Sequence, residues 1–288
     1  MPELPEVEVV KKTLESQIKN LSIKSIKIID KNLRYKVKKQ SLKKILGFKV
    51  IKIKRRSKYL LFLFNKNLVM IVHLGMTGKF FFIKNGRAKR RTSFYYDTNK
   101  YNEKHNRIIF IFNKNMRLIY NDIRKFGFIK ILKKFELEEN FHLKNLGPEP
   151  LEDKFNYIYF KNYLVNRNRT IKNILMDQKF VSGLGNIYVC EALFRAGISP
   201  KRQALRISYK KLSSLVPIIK EILLEAISSG GSSLRDFRNA SGDLGYFQHS
   251  FDVYGREDQD CYNTECDGKI KRITQAGRSS FYCSNCQR

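Results

Sequence analysis

The chain has 288 residues and 42% hydrophobic content, enough for one large or two ordinary domains with real cores. Its 57 Lys and Arg outnumber 26 Asp and Glu, a formal net charge of +31 that points to a polyanion as partner and away from a cationic one. The acidic start has no apolar signal segment, and the longest apolar runs, such as Tyr59–Phe64, are too short to cross a bilayer, so a cytoplasmic chain without a membrane role is expected. Abundant Lys, Asn and Ile also reflect an AT-rich coding sequence, which inflates surface lysine without explaining arginines in ordered motifs.

In chain order, the first motif is Met1-Pro2-Glu3-Leu4-Pro5-Glu6. Removal of Met1 leaves Pro2 with a free secondary amine, which attacks a sugar C1′ to form an iminium, and Glu3 beside it is an acid or base. The same residues also suit the opening of a helix, where proline and acids are favoured. Val7, Val10, Leu14 and Ile18 recur at helical spacing, so a first helix is predicted to about residue 19. Short runs rich in Ile, Phe, Val and Tyr follow at 23–29, 49–54, 59–64, 68–74, 79–83, 107–112, 116–121 and 126–132, separated by Asn- and Gly-bearing turns. That spacing predicts a β-sandwich or barrel. Lys58, opening the third run, suits a solvated strand end. The polar, basic stretch 85–106 is predicted to be a mobile loop.

Met76, in His73-Leu74-Gly75-Met76-Thr77-Gly78, and Phe126, in Asp122-Ile123-Arg124-Lys125-Phe126-Gly127, each sit on a turn after a strand. Such side chains suit wedges that fill the hole left by a flipped-out base, and equally suit core packing.

The pattern changes at Leu146-Gly147-Pro148-Glu149-Pro150, a hinge signal. Helical periods follow at 154–166, 170–177, 186–196 and 208–229, with Pro217 expected to kink the last helix or mark its true start. Val181-Ser182-Gly183-Leu184-Gly185-Asn186 joins two of them, either as a phosphate-binding helix N-terminus or as a tight turn. A Gly/Ser/Asn-rich loop is predicted at 232–248. Cys261-x4-Cys266-x16-Cys283-x2-Cys286 then reads as a closed four-thiolate site for one structural Zn2+, with a β-hairpin as spacer presenting Lys269, Lys271, Arg272 and Arg278 toward phosphate. Cys190 is left over as a core residue.

Taken together, PELPEVE, LGMTG, DIRKFG, LGPEPL, GLGNIY, FRAGI, GYFQ and GRSSFYC resemble bacterial formamidopyrimidine-DNA glycosylase over essentially the whole chain. The resemblance implies a multidomain α+β protein: an N-terminal β-sandwich with an N-terminal helix (1–146), a helix–two-turns–helix domain (147–250) and a C-terminal zinc-finger β-hairpin (251–288). It implies a base-excision repair glycosylase and AP lyase that removes oxidised purines from damaged double-stranded DNA, acts as a monomer and binds DNA in the cleft between domains. Carried over by residue, Pro2 is the nucleophile, Glu3 protonates the sugar ring oxygen, Lys58 assists β-elimination and Arg278 assists δ-elimination. Met76, Arg124 and Phe126 fill the vacated space, with Arg124 facing the orphaned base. His105, Arg124, Arg167 and Asn186 contact DNA, and 232–248 closes over the flipped base. Two departures stand out: the gap between Cys261 and Cys266 is longer than usual, and residue 167 is Arg where lysine is common. The PELPEV start favours this branch over the endonuclease VIII enzymes, which act on oxidised pyrimidines. A non-catalytic zinc-hairpin binder is the remaining alternative.

Overall fold

Hydrophobic alternation in the first half and helical periodicity in the second separate cleanly in space. The computed structural model describes residues 1–84, 87–91, 102–232 and 251–288, with backbone alone at 84 and 87–91. It divides into two compact units: Met1–Lys144 with Ser229–Tyr246, and Asn145–Ser228 with Phe247–Arg288.

The first unit opens with helix α1 (Leu4–Ile18), whose predicted stripe of Val7, Val10, Leu14 and Ile18 is fully buried. Eight strands match the expected runs: β1 (Ile23–Ile28), β2 (Val50–Arg56), β3 (Tyr59–Phe64), β4 (Leu68–His73), β5 (Gly78–Lys84), β7 (Asn106–Phe112), β8 (Met116–Asp122) and β9 (Phe128–Lys133). With a ninth strand, β6 (Arg87–Arg91), they form two antiparallel sheets, β1-β7-β8-β5-β6 and β2-β3-β4-β9. The inward residues of both sheets, among them Phe62, Met70, Phe80, Phe110 and Leu118, share one core with α1. Phe62 and Phe80 meet across it at 6.0 Å between ring centroids. The outer face of the four-stranded sheet carries a second cluster of Leu61, Val69, Ile71 and Phe128, packed by Leu137 and Leu143.

Of the stretch 85–106 expected to be a mobile loop, residues 85–86 and 92–101 lie outside the described residues, and the rest contains β6 (Arg87–Arg91), paired to the edge of β5, and a 3-10 turn at Glu103–His105. An Arg-Ala-Lys-Arg-Arg segment has no apolar alternation to announce a strand. A short helix α2 (Lys39–Lys43), too short and too charged to show a period, also went unpredicted.

The second unit contains α3 (Tyr157–Leu164), α4 (Ile171–Leu175), α5 (Asn186–Arg195) and α6 (Tyr209–Ser228), then the hairpin β10 (Ile270–Gln275) and β11 (Arg278–Cys283). Side-chain oxygens of Asn156 and Thr170 accept the Tyr159 and Asn173 amides, and so fix where α3 and α4 begin. Pro217 lies inside a continuous α6 and does not mark its start. At the hinge, the Gly147 amide donates to the Gln178 carbonyl at 2.8 Å. A side chain on Gly147 would run into the Phe180 backbone, so the hinge glycine is there for close approach. Helices and hairpin share this unit: a cluster of Cys190, Val253, Cys261, Ile270, Phe281 and Cys283 joins α5 to the cysteine-bearing segment. Among the described residues no helix is long and apolar enough to cross a membrane.

Candidate active site and nucleic-acid interface

Pro5, not Pro2, is the proline that opens the first helix: it lies in the first turn of α1, with Glu3 as N-cap. Pro2 precedes the helix and is buried, so helix initiation does not account for it. Glu3 is 5% exposed and forms a capping box with Glu6, in which the Glu3 amide donates to Glu6 Oε2 at 2.8 Å. Glu6 Oε1 also accepts the Ser232 amide and hydroxyl, each at 2.9 Å. One buried carboxylate therefore ties the N-terminal turn to the entry of the predicted loop 232–248, of which residues 233–248 lie outside the described residues.

Lys58 is only 7% exposed, so the solvated strand end is wrong. Ser57, at φ +54°, turns the chain sharply between β2 and β3 and carries Lys58 inward. Arg55 braces this turn by donating to Glu8 Oε2 of α1 at 2.8 Å and to the Ser57 carbonyl at 3.0 Å. The terminal amine, here that of Met1, is held below its ordinary pKa by burial. Glu3 and Glu6 act against that shift, while Lys58 and Arg124 reinforce it. The structure thus gathers the N-terminus, Glu3, Lys58 and Arg124 within electrostatic reach of one another.

The two wedge turns are built as one piece. Gly75, at φ +63°, lies so close to the other turn that a Cβ there would sit 2.5 Å from Gly127 N. Thr77 Oγ1 donates to Asp122 Oδ1 at 2.5 Å and accepts the Arg124 amide at 2.9 Å, while Asp122 Oδ2 accepts the Gly127 amide at 2.9 Å. Met76 and Phe126 project from this base with 40% and 45% exposure, which excludes core packing for both. The Arg124 guanidinium lies 4.6 Å over the Phe126 ring, so an exposed cation and an exposed aromatic form one surface. His73, half-buried against Phe128 and Tyr59, accepts the Gly75 amide on Nδ1 at 3.1 Å. Burial, reinforced by Lys58, Arg34 and His142, holds its pKa down to about 4. His105 lies at the end of the 3-10 turn, which Asn121 Nδ2 anchors by donating to the Asn102 carbonyl at 3.0 Å.

In the second unit, Arg167 is exposed and stacks 4.0 Å over Tyr163. Asn186 opens α5, and one N–H of its side-chain amide donates to the Ser279 carbonyl at 2.7 Å, which Lys172 Nζ also approaches at 3.0 Å. Both donors fix the residue next to Arg278, which is exposed at the start of β11. The four predicted cysteines converge, with all sulfurs within 4.8 Å of one another. The Cys261–Cys286 and Cys266–Cys283 separations of 3.8 and 3.6 Å match the edges of a tetrahedron with metal–sulfur bonds of about 2.3 Å, so the donors fit a metal ion.

Asp122, Thr77, Glu6, His73 and Lys172 were not singled out from sequence. The Glu3-x-x-Glu6 spacing was a legible capping-box signal; the others act through tertiary contacts that no local pattern announces.

A buried N-terminal turn with Glu3 and Lys58 and a pair of exposed turn residues on one unit, with a four-cysteine cluster and a cation-bearing hairpin on the other, fit a DNA-processing enzyme. The family model for the formamidopyrimidine-DNA glycosylase N-terminal domain matches residues 1–129, and the model for the H2TH domain of the same glycosylase matches residues 146–238. Formamidopyrimidine-DNA glycosylases of Ruegeria pomeroyi and Roseobacter denitrificans are each 44% identical over 100% of both chains. Among solved structures, the Lactococcus lactis Fpg in complex with DNA containing an abasic site superposes with a TM-score of 0.86 at 33% identity, covering 99% of each chain. A Lactococcus lactis Fpg mutant bound to Fapy-dG-containing DNA gives 0.86 at 33% identity over 100% of each chain. The chain belongs to the formamidopyrimidine-DNA glycosylase family.

Proposed function

We propose that this chain is a base-excision repair enzyme that excises oxidised purines, 8-oxoguanine and formamidopyrimidines, and then cuts the strand through a covalent Pro2 intermediate. The observation that carries this reading is the N-terminal turn, where a buried Pro2 outside the helix adjoins a buried Glu3, with Lys58 in electrostatic reach.

Once Met1 is removed, the Pro2 amine is a secondary amine with an ordinary pKa of about 7.7–8.0, so a useful fraction is neutral near pH 7. It attacks C1′ as the damaged base leaves. Glu3 protonates the ring oxygen and the sugar opens to an iminium. This cation carries no N–H to lose and draws electrons from C2′, whose proton departs with help from Lys58. The 3′-phosphate is then expelled, and the 5′-phosphate follows with Arg278 as the fixed cation beside it. Hydrolysis of the iminium frees Pro2. Met76, Arg124 and Phe126 occupy the gap in the duplex while the base is outside it.

Cys261, Cys266, Cys283 and Cys286 would together hold a structural Zn2+, which would fix the hairpin that bears Arg278. The enzyme acts as a monomer on damaged duplex DNA in the cytoplasm.

Cleavage of duplexes carrying single lesions tests the reading. Formamidopyrimidine and 8-oxoguanine should be cut faster than thymine glycol. The reverse order would assign the chain to pyrimidine repair, and no cutting of either would leave a DNA-binding protein.

A further inference from the structure

The loop between α5 and α6 and the end of the cysteine segment border a shallow, polar surface cavity of about 610 Å³, wide open to solvent. It lies wholly in the second unit. None of Arg167, Asn186 and Arg278 lines it. Its cations come from both walls: Lys201, Arg202 and Arg206 from the loop, and Arg288 from the cysteine segment. Ser199, Gln203, Ser284 and Gln287 complete the lining, and no carboxylate side chain does. None of the four cations forms an ion pair among the described residues.

The walls are held rigidly. The Ile171 amide donates to the Arg202 carbonyl at 2.9 Å, and the Ala204 amide to the Arg169 carbonyl at 3.0 Å. Arg202 Nε donates to the Arg206 carbonyl at 3.2 Å, which aims its guanidinium along the loop. Gln287, 3% exposed, donates to the Ile198 carbonyl at 2.8 Å and accepts the Cys283 amide at 2.9 Å. That side chain splices the loop to the cysteine cluster and so links the two walls.

We propose that this cavity is an accessory phosphate-binding pocket, taking a phosphate group borne either by a DNA strand or by a free phosphorylated molecule. Like charges gathered around one concavity repel one another, and a bound anion relieves that repulsion. Guanidinium forks, a lysine and hydroxyl and amide donors suit the several acceptor oxygens of a phosphate better than a single carboxylate. The pocket depends on the second unit alone and not on excision chemistry, so its test uses no lesion.

Inorganic tripolyphosphate is titrated into the zinc-loaded full-length protein by calorimetry, with backbone amide shifts recorded by NMR. Binding is expected, with shifts at Lys201, Gln203 and Ser284. The double variant Lys201→Ser/Arg206→Ser should keep its zinc and its Tm and bind roughly tenfold more weakly. The salt dependence of binding to a short undamaged duplex then identifies the source. A slope smaller by about 0.9 per lost contact assigns the pocket to a DNA phosphate, and an unchanged slope assigns it to a free phosphorylated molecule. Failure of the wild type to bind tripolyphosphate, or equal affinity in the double variant, overturns the proposal. Should the double variant lose its zinc, the wild-type shifts decide: shifts confined to Arg167, Asn186 and Arg278 overturn it as well.

Discussion

Thr77 and Asp122 are joined by a 2.5 Å hydrogen bond across two separate turns, and the same Thr77 hydroxyl oxygen receives the Arg124 amide. Met76 sits beside one partner and Phe126 near the other, so this contact sets the spacing of the wedge. Asp122 is fully buried, and removing either partner leaves a buried polar group unsatisfied. Thr77→Val should therefore cost about 1–3 kcal/mol of stability. It should also slow excision of a paired lesion more than cleavage of a preformed abasic site, which needs no base extrusion. Equal effects on both substrates would show that the contact serves folding alone.

Arg124 and Arg278 should divide their labour. Arg124 is exposed over Phe126 on the wedge, where its planar fork can reach the acceptors of an unpaired cytosine. Arg124→Ala should flatten the preference for cytosine opposite 8-oxoguanine by about 1–3 kcal/mol. Arg278→Ala should keep that preference, weaken DNA binding and slow the second elimination. Single-turnover cleavage against each opposite base, with β- and δ-products resolved, separates the two roles; altered ratios in Arg278→Ala would reverse them.

The metal site should control the hairpin. Cys283 is a predicted ligand whose amide also donates to Gln287, and Lys172 and Asn186 pin the other end of the same strand, β11, at Ser279. Cys283→Ser should release zinc and weaken binding to an abasic-site duplex while leaving the first unit folded. Normal binding by a metal-free variant would remove the hairpin from the DNA interface.

Acid should loosen the wedge through His73. Its folded pKa of about 4 lies below the ordinary 6.5, so between these values the unfolded chain binds more protons than the folded one. Stability is thus fully present above pH 6.5 and lost as pH falls toward 4, by about 2–3 kcal/mol for this group. Protonation of Nδ1 also breaks the hydrogen bond from the Gly75 amide beside Met76. His73→Asn should melt with a shallower pH dependence in that window; an identical profile would place the titration elsewhere.

The sequence revealed what depends on local repetition. Eight strands were legible because alternating apolar residues face one core, and the metal site was legible because paired cysteines at short spacing have few other uses. What escaped depends on contacts made only after folding. Lys58 reads as a surface residue until the Ser57 turn carries it inward. The Asn186 side chain shows no structural partner in sequence, yet in the fold the hairpin supplies the Ser279 carbonyl to one of its two N–H groups. Asp122 belongs to a turn motif in sequence, yet its partner Thr77 lies 45 positions away.

Borohydride trapping on an 8-oxoguanine duplex, followed by peptide mapping of the adduct, tests the central claim most directly. Reduction of the iminium should fix the DNA to the N-terminal peptide at Pro2, and a chain that retains Met1 should trap nothing, because its proline nitrogen is then an amide. An adduct on the peptide containing Lys58, or undiminished trapping with Met1 in place, would contradict the assignment of Pro2 as nucleophile.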